Sequence, residues 1–347
     1  MARLAQRTPT MDDVAELAGV SRTTVSRVFS NTVTVDPLLS QKVHDAAAKL
    51  RYSPSQIARG LAKGRTHSVG ILVPELDNPI FQRTLTGLSQ AAGEDRYQVL
   101  IADSSERLAN EAELITELRR RCDAIVLCSP RMDDAELSTL VARLGPVVMI
   151  YRSVPVPGVP VIAVSLEHGV RLLAEHLHEL GHRHIAFLDG GEKSRSGARR
   201  FAALEEFCAD HPEVRVSRVT GGGTIQAGFA AADDVLATGA TAVMAFNDVV
   251  AMGLLSALQR RGITVPDQLS VTGFDDITFS EFTNPPLTTA AIPAEELGRL
   301  AWERLHAMLV DGETDDGTTV VPTVHLRAST SSVVPVGHRS DTLAAEP

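Results

Sequence analysis

Residues 10–28 read TMDDVAELAGVSRTTVSRV. This stretch predicts a short helix, because Thr10 can cap the first turn and acidic residues follow at the positive end of the helix. Gly19 then stops the helix, since glycine readily adopts a positive φ. Ser21 follows as the cap of a second helix. Two short helices joined by so tight a turn predict a helix-turn-helix.

A third helix completes a small apolar core in this N-terminal head. The second helix is predicted to run to about Phe29. The third begins at Asp36 and Pro37, an N-cap followed by proline at the first helical position. Apolar residues recur at helical spacing on all three helices, which predicts a shared core. The predicted core residues are Val14, Leu17, Ala18, Val25, Val28, Phe29, Leu39, Val43, Ala46, Ala47 and Leu50.

The outward side of the second helix is polar and basic, with Arg22, Thr23, Ser26 and Arg27. Short polar donors and arginines at the N-terminal end of a helix are typical of the part that enters the DNA major groove. There an arginine can make a bidentate contact to guanine. The alternative is an ordinary solvated helix face.

Charge is distributed unevenly along the 347 residues. The net charge of −10, taken alone, argues against a nucleic-acid partner. Residues 1–65, however, hold ten lysines and arginines against five acids, whereas the remainder holds 23 against 38. A basic head of +5 on an acidic body of −15 is typical of a DNA-docking module on a larger carrier. The alternative is a basic segment that is merely solvated.

A second DNA element is predicted directly after the head. Ser53 and Pro54 begin a fourth short helix that continues to about Lys63 and has too little apolar content to fold alone. Leu61 lies on it beside the basic Arg59. An exposed leucine among basic residues suits the minor groove, where an apolar wedge kinks the duplex. A plain linker helix is the alternative.

From about residue 66 the pattern alternates between strand and helix. Such alternation predicts an α/β body of two doubly wound parallel sheets, because two series of strands follow one another. The predicted helices span about 80–94, 110–121 and 134–144. The predicted strands span 69–73, 98–102, 124–128, 147–150, a run from about 161, 184–188, 214–216, 242–246 and 269–273.

Polar residues stand where these strands end, and ligands of parallel sheets bind beyond the carboxyl ends of strands. Amides and carboxylates there, with an aromatic residue to cover apolar faces, suit a polyhydroxylated ligand. For Asp275 we favour a ligand contact over a helix cap, and for Asp248 and Asp276 we favour a helix cap. The further candidates for this ligand site are Asn78, Phe81, Ser104, Phe246 and Asn247.

The cysteine content indicates a reducing compartment. Cys122, Cys128 and Cys208 form no CxxC or paired pattern, so neither a disulfide framework nor a thiolate metal site is expected. No run of 18 apolar residues is present that could span a membrane, and the N-terminus lacks a signal-like apolar stretch. We therefore expect a cytoplasmic protein with no membrane partner.

Enzyme and metal chemistry are poorly supported. The sequence has no GxSxG, Walker or HExxH motif, and the glycines at 221–223 are a lone loop signal. The four histidines His176, His178, His182 and His184 are possible metal ligands. His178 and His182 are four residues apart and could lie on one face of a helix. We favour a reading without metal, without cofactor and without catalysis.

The sequence closely resembles the lactose-repressor (LacI/GalR) family over roughly residues 8–333. Many motifs occur in the family's order and spacing, so a chance match is negligible. They are TMDDVAELAGVS (10–21), TVSRV (24–28), RYSPSQIARGL (51–61), SVGILVP (68–74), NPIF (78–81), HLHELGH (176–182), AFND (245–248), SVTGFDD (270–276) and PPLTT (285–289).

The resemblance implies a periplasmic-binding-protein-like body of two lobes, between which the chain crosses three times, near 161–164, 290–292 and 320–323. The domains expected are a head over 8–52, a hinge helix and linker over 53–65, a two-lobed body over 66–333 and a disordered tail over 334–347. The N-lobe would comprise about 66–162 and 292–321, and the C-lobe about 163–291 and 322–333.

The resemblance also implies particular DNA contacts. Arg22 and Thr23 occupy the two variable base-reading positions, and Leu61 matches the leucine that wedges into the minor groove at the operator centre. Such proteins bind as dimers, and the tail carries no apolar heptads that would make a tetramer. The residues predicted to contact DNA are Thr10, Ser21, Arg22, Thr23, Thr24, Ser26, Arg27, Asn31, Tyr52, Ser55, Ala58, Arg59 and Leu61.

An effector site is implied in the same way. Arg200, Asn247 and Asp275 match effector-contacting positions, and Phe81 and Phe246 match pocket-lining positions. The resemblance therefore implies that a small molecule, with carbohydrate as the expected class, binds in the body.

Several departures from the family's pattern bear on the identity of that effector. Arg200 is chosen over Arg199 in a segment where Ala203 stands in place of a usual glycine. Tyr151 and Ser165 each stand where an aspartate is common. The effector is therefore expected to differ from the better-known sugars.

The function expected is that of a sequence-specific transcriptional regulator, a repressor that binds a pseudo-palindromic operator in double-stranded DNA as a homodimer and responds to a sugar-like effector. Two alternatives come from other classes: a sugar-binding protein without a regulatory role, and a sugar-modifying enzyme.

Overall fold

The chain divides into two units, Met1–His67 and Ser68–Pro347. Within the described residues no helix is both long and apolar enough to cross a membrane. Most of the predicted hinge helix, residues 54–64, and the predicted tail from residue 334 lie outside the described residues. The computed structural model describes residues 9–30, 35–53, 65–152, 156–191, 194–314 and 317–333.

The first unit contains the predicted helix-turn-helix. Thr10 caps the first helix, and its side chain and that of Asp13 form a reciprocal capping box. Gly19 ends this helix at a φ of +67°, which glycine adopts without a steric penalty. Its helices are α1 (Met11–Ala18), α2 (Arg22–Ser30) and α3 (Pro37–Leu50).

The core of this unit largely follows the predicted apolar stripe, with Val14, Val25 and Val43 fully buried. Two predicted core residues are wrong, because Leu17 is 50% exposed and Leu39 is 37% exposed. In α1 the buried face includes Ala15, which lies about 200° around the helix from Leu17.

The body contains two six-stranded sheets. Among the described residues, neighbouring strands of both sheets pair in parallel except β10 with β12, which are antiparallel at the sheet edge. The first sheet has the order β11-β5-β4-β3-β1-β2, and the second has the order β12-β10-β9-β8-β6-β7. The strands are β1 (Ser68–Val73), β2 (Gln98–Asp103), β3 (Ala124–Cys128), β4 (Val147–Ile150), β5 (Val161–Val164), β6 (His184–Leu188), β7 (Arg215–Val219), β8 (Ala242–Ala245), β9 (Ser270–Asp275), β10 (Thr288–Ala291), β11 (Thr318–Val320) and β12 (Thr323–His325).

Helices cover both sheets, as the alternating sequence pattern predicts for a doubly wound fold. The helix predicted over 134–144 ends at Val141, because the chain turns through Gly145 toward β4. The helices are α4 (Pro79–Glu94), α5 (Leu108–Arg121), α6 (Asp134–Val141), α7 (Leu166–Glu179), α8 (Arg195–Asp210), α9 (Ile225–Ala230), α10 (Ala232–Ala237), α11 (Asp248–Arg260) and α12 (Ala294–Val310).

The chain passes between the two sheets three times. We call the first sheet with α4, α5, α6 and α12 lobe 1, and the second sheet with α7 to α11 lobe 2. The passages lie at Ser165, at residues 292–293 and at residues 321–322. The first follows β5 rather than coinciding with it, because β5 still pairs with β4 in lobe 1.

Helices α4 and α12 pack so closely that glycine is required on both. A Cβ on Gly87 would overlap the carbonyl oxygen of Glu295, and a Cβ on Gly298 would overlap that of Thr84. The backbones of two segments that are some two hundred residues apart therefore touch directly and close lobe 1.

We expect Gly298→Ala to destabilise the protein by about 1–3 kcal/mol or more, because the added methyl group collides with a backbone that cannot move aside easily. Gly93→Ala is the matched control, since no atom lies within 4 Å of its Cβ position. Alanine should raise helix stability there by up to about 1 kcal/mol. Urea unfolding of both variants checks this, and equal stability of the two would contradict the close-contact account.

Candidate functional site

The exposed face of α2 is the candidate nucleic-acid interface of the first unit. Arg22, Thr23, Ser26 and Arg27 are all exposed on it. The guanidinium of Arg22 lies 3.6 Å from the carboxylate of Asp12, and both side chains are largely exposed. Such a pair is worth about 0–1 kcal/mol, so it leaves Arg22 able to exchange this partner for another.

Four other residues predicted to contact DNA have structural roles in the same unit. The Ser21 hydroxyl accepts the backbone N–H of Thr24 at 3.1 Å and caps α2, while Thr10 caps α1. Tyr52 is half-buried and its ring lies 5.9 Å from that of Phe29. The predicted DNA contacts that lie outside the described residues are Asn31, Ser55, Ala58, Arg59 and Leu61.

Arg200 is the central cation of the candidate effector site in the body. It lies on α8, and its guanidinium carbon is 3.8 Å from the ring centroid of Phe274 and 4.8 Å from that of Phe246. Nη1 donates to the carbonyl oxygen of Phe246, and Nη2 lies 3.6 Å from Oδ1 of Asp275. Nε is buried without a hydrogen-bond partner. A buried N–H of this kind costs free energy until an acceptor reaches it.

Asp275 stands at the carboxyl end of β9 and is 5% exposed. Burial raises the pKa of its carboxyl group to about 8, and the charge of Asp248 acts in the same direction, although Arg200 opposes the shift. At such a pKa the protonated form, which can donate as well as accept a hydrogen bond, is populated near neutral pH.

Backbone strain in the body is concentrated near the carboxyl ends of strands. Among the described residues, six of nine non-glycine residues with positive φ lie within three residues of a strand's carboxyl end, at β2, β3, β4 or β9. Asp275 is the extreme case, with a φ of +111°. A strained backbone costs about 1–3 kcal/mol per residue and clusters where ligands are held. The six are Ser105, Glu106, Ser129, Tyr151, Asp275 and Asp276.

Lobe 1 contributes an aromatic wall opposite these groups. The Tyr151 hydroxyl lies 3.1 Å from the Thr84 hydroxyl, and its ring makes an edge-on contact with Phe81 at 6.1 Å. Burial raises the pKa of the Tyr151 hydroxyl well above its usual value.

Asn78 and Ser104 also lie at the carboxyl ends of lobe 1 strands, and both are buried. Oδ1 of Asn78 caps α4 through the N–H of Ile80 at 3.2 Å. Burial raises the pKa of Glu75, and a hydrogen bond from the Asn78 side chain acts in the opposite direction. The Ser104 hydroxyl donates to the carbonyl oxygen of Pro74 at 3.4 Å. Both predicted effector contacts therefore already have partners within the protein.

Asn247, rather than Asp248, caps α11, so the predicted cap role of Asp248 is wrong. Oδ1 of Asn247 accepts the N–H of Val250 at 2.9 Å, and Nδ2 donates to the carbonyl oxygen of Gly223 at 3.5 Å. Asp248 is fully buried, and burial raises the pKa of its carboxyl group to about 6. The adjacent Phe246 is half-buried and extends over the guanidinium of Arg200.

Asp276 is not a helix cap either. Its carboxylate accepts from Nη2 of Arg327 at 2.7 Å and lies 2.8 Å from Nδ1 of His325. Its backbone carbonyl accepts from Nη1 of Arg83 at 2.7 Å, a contact from lobe 1 to lobe 2. Asp276 therefore helps to hold the edge of the site in place.

Two ionic contacts near this edge went unpredicted. Asp189 is buried and its Oδ2 accepts from Nε of Arg218 at 2.6 Å. Its position directly after β6 is the signal that identified the other candidates, so the same rule finds it. The second contact joins Arg195 of lobe 2 to Asp134 of lobe 1 at 2.9 Å, and no local sequence pattern indicates it.

The histidines considered as metal ligands separate in the structure. His182 contacts the hydroxyls of Thr241 at 2.9 Å and Ser270 at 3.1 Å, and burial lowers the pKa of its imidazole. His176 lies 2.9 Å from a threonine hydroxyl and His184 lies 2.8 Å from a serine hydroxyl. Each of the three rings therefore has its own hydrogen-bond partners.

Comparisons with known proteins agree with both units. Residues 10–55 match the model described as bacterial regulatory proteins, lacI family, and residues 174–330 match the periplasmic binding protein-like domain. The HTH-type transcriptional regulator DegA of Bacillus subtilis strain 168 is 32% identical over 83% of this chain and 88% of its own length. The regulator GalR of Escherichia coli K12 is 31% identical over 93% and 96%.

Solved structures of similar proteins cover nearly the whole chain. A lac repressor dimer bound to operator and the anti-inducer ONPF superposes with a TM-score of 0.84, at 27% identity, over 94% of this chain and 100% of that one. A complex of the transcriptional regulator CelR with cellobiose superposes with a TM-score of 0.69, at 28% identity, over 92% and 99%. These matches show the fold of the head and the fold of the body.

The raised pKa of Asp275 predicts a pH dependence of stability. The folded protein binds a proton that the unfolded chain releases between about pH 4 and pH 8, so the free energy of unfolding falls as the pH rises through that window. Relative to Asp275→Asn, the wild type should lose up to about 1.4 kcal/mol per pH unit between pH 5 and pH 8.

Urea unfolding at several pH values measures this difference. Asp233→Asn is the control, because Asp233 is exposed, an arginine lowers the pKa of its carboxyl group, and it is ionised throughout this range. Its unfolding curves should follow the wild-type pH dependence. A constant gap between wild type and Asp275→Asn from pH 5 to pH 8 would count against a protonated Asp275.

Proposed function

The chain belongs to the lacI family of bacterial regulatory proteins, and from this we propose that it is a repressor that binds a pseudo-palindromic operator as a homodimer and is controlled by a sugar-like effector. The observation that carries the proposal is the combination in one chain of an exposed basic recognition face on α2 with a buried arginine at the edge of a two-lobed body.

In the first unit, the proposed base-reading residues are Arg22 and Thr23, with Ser26 and Arg27 beside them. Support comes from their shared exposure on α2 and from the rigid support of that helix by a capped α1 and a packed α3. Arginine reads guanine through two parallel hydrogen bonds, so its helix must be held firmly in the groove.

The segment 53–65 supplies the proposed second DNA contact, with Leu61 as the minor-groove wedge. We propose that effector binding alters the relative pose of the lobes and so changes the spacing of the two copies of this segment in the dimer. Specific affinity changes because Leu61 enters or leaves the central base step.

In the body, Arg200 is the proposed anchor for effector hydroxyls. Its buried Nε–H lacks an acceptor, while the Asp275 carboxyl group beside it can accept a hydrogen bond from a ligand hydroxyl and, when protonated, can donate one. Phe81 and Tyr151 provide apolar surface across the lobe junction, where the rings of a sugar can stack. A sugar is the proposed class because it presents both acceptors and donors around an apolar face.

Two other functions compete with this proposal. A sugar-binding protein without a regulatory role would bind sugar but not operator DNA, and a sugar-modifying enzyme would turn sugar over. Incubation of the purified protein with sugars, followed by product analysis, separates the enzyme from the regulator. The similarity of the whole chain to named transcriptional regulators favours the regulator.

We expect Arg22→Ala to change the base preference of the protein at one operator position, at a cost of about 1–3 kcal/mol for the preferred base. Lys63→Ala is the matched basic control, because loss of a phosphate contact weakens all sequences alike and lowers the salt slope by about one. Selection from a randomised DNA library, followed by titration at several salt concentrations, measures both effects.

Equal weakening of every sequence by Arg22→Ala would overturn its base-reading role. Leu61→Ala is measured on the same operator, with DNA bending as the readout. Unchanged affinity and unchanged bending would exclude the proposed wedge.

We expect Arg200→Met to abolish the effect of the effector on operator binding while leaving operator binding itself intact. Loss of a buried charge that holds a ligand costs about 2–5 kcal/mol of affinity. Arg199→Met is the neighbouring control, because Arg199 pairs with Glu167 at 2.7 and 2.8 Å instead. Gel shifts provide the measurement, with the DNA upstream of the gene that encodes this protein and a panel of mono- and disaccharides, cellobiose included.

If Arg200→Met responded to the active sugar as well as the wild type does, Arg200 would not be the anchor. If no sugar in the panel changed operator binding by the wild type, the proposed effector class would be wrong, although the operator-binding proposal would stand.

A further inference from the structure

Three potential metal ligands meet on the surface of lobe 2, away from the lobe junction. His178 lies in the last turn of α7, while His211 and Glu213 lie between α8 and β7. Nε2 of His178 is 2.6 Å from Oε1 of Glu213, and Nδ1 of His211 is 3.8 Å from the same oxygen. One ligand atom from each residue lies within 4.8 Å of the other two.

An aromatic residue holds the two imidazole rings in place. Phe207 is fully buried, and its ring centroid lies 4.3 Å from that of His211 and 6.1 Å from that of His178. The two imidazole centroids are 4.7 Å apart. Rings packed in this way lose little freedom when they bind a ligand, so less affinity is spent on ordering them.

We infer that His178, His211 and Glu213 form a binding site for a divalent transition-metal ion of the zinc class. Imidazole and carboxylate are ligands that zinc accepts, and three protein ligands with one open position are a known zinc arrangement. Ligand atoms around tetrahedral zinc lie roughly 3.3 Å apart, because each is about 2.0–2.1 Å from the ion. Two of the observed separations, 2.6 and 3.8 Å, lie on either side of this value, and all three ligand atoms lie within 4.8 Å of one another, so side-chain rotation must complete the site.

The surroundings set limits on the affinity. Zinc must replace the hydrogen bond between His178 and Glu213, and Nη1 of Arg183 donates to the backbone carbonyl of His178 at 2.8 Å, which places a positive group nearby. Glu213 is exposed, so water can fill the open position. The site is therefore of the open kind and not a closed structural site.

This site is separate from the proposed effector site. Arg200 and His211 are eleven residues apart along α8 and its end, a distance of about 16 Å at 1.5 Å per residue. A bound ion would join the C-terminal end of α7 to the connection between α8 and β7. The inference does not depend on DNA binding or on the identity of the effector.

The test uses untagged full-length protein and zinc chloride in competition with a chromophoric chelator. The wild type should bind one zinc ion. His211→Gln and Glu213→Gln should each weaken binding by at least roughly 100-fold, since loss of even an outer-shell partner costs about 10–100-fold. His168→Gln is the control, because His168 is an exposed histidine on the same helix as His178.

Cobalt(II) gives a second readout of the same site. The wild type and His168→Gln should develop the visible absorption of tetrahedral cobalt, and the two ligand variants should not. Failure of the wild type to bind zinc at tenfold molar excess would overturn the inference. So would equal binding by wild type, His211→Gln and Glu213→Gln, because the ion would then lie elsewhere.

Discussion

The hydrogen bonds to the carboxylate of Asp248 hold together the edge of lobe 2 at which the candidate effector site lies. It accepts hydrogen bonds from the Thr289 hydroxyl at 2.6 Å, from the Ser280 hydroxyl at 2.6 Å and from the N–H of Ile277 at 2.8 Å. These donors belong to β10 and to the connection after β9, so one buried group ties three segments together at the start of α11. Gly273 makes room for it, because a Cβ there would overlap Oδ1. This network fixes the chain that follows Asp275, where the backbone has its positive φ, and so helps to hold the strained conformation.

Much of this architecture follows from local signals in the sequence. The caps at Thr10 and Ser21 and the turn at Gly19 depend on residues within one helical turn, and the parallel, helix-covered sheets follow from the alternation of strands and helices. The sequence also predicts that the polar residues at strand ends lie near one another, since the topology fixes which ends share an edge. It does not predict the role of each residue, because capping and ligand binding use the same side-chain atoms. Asp248 and Asn247 illustrate this: Asp248, predicted as the cap, instead accepts hydrogen bonds from other segments, and the adjacent Asn247 caps α11.

Long-range contacts lie beyond such reasoning. The pair of Arg195 with Asp134 joins positions sixty-one residues apart on different lobes, and the meeting of His178 with Glu213 depends on how α7 packs against α8. Exposure is equally non-local. Leu17 has the spacing of a core residue, yet its burial depends on which face of α1 the other two helices cover. The pKa of Asp275 is also non-local, because burial by residues from other segments raises it to about 8.

The direct contact between α4 and α12 has a consequence for synthesis. Lobe 1 begins with β1 but is closed only when α12 packs against Gly87, about two hundred residues after α4 ends. At translation rates of about 5–20 residues per second, the apolar side of α4 waits roughly 10–40 seconds for its partner helix. Most of lobe 2 is continuous in the chain between residues 166 and 291, and its strands emerge during that wait. The lobe that starts first is therefore completed late, and its uncovered helix is the surface of the nascent chain that a chaperone has most time to meet.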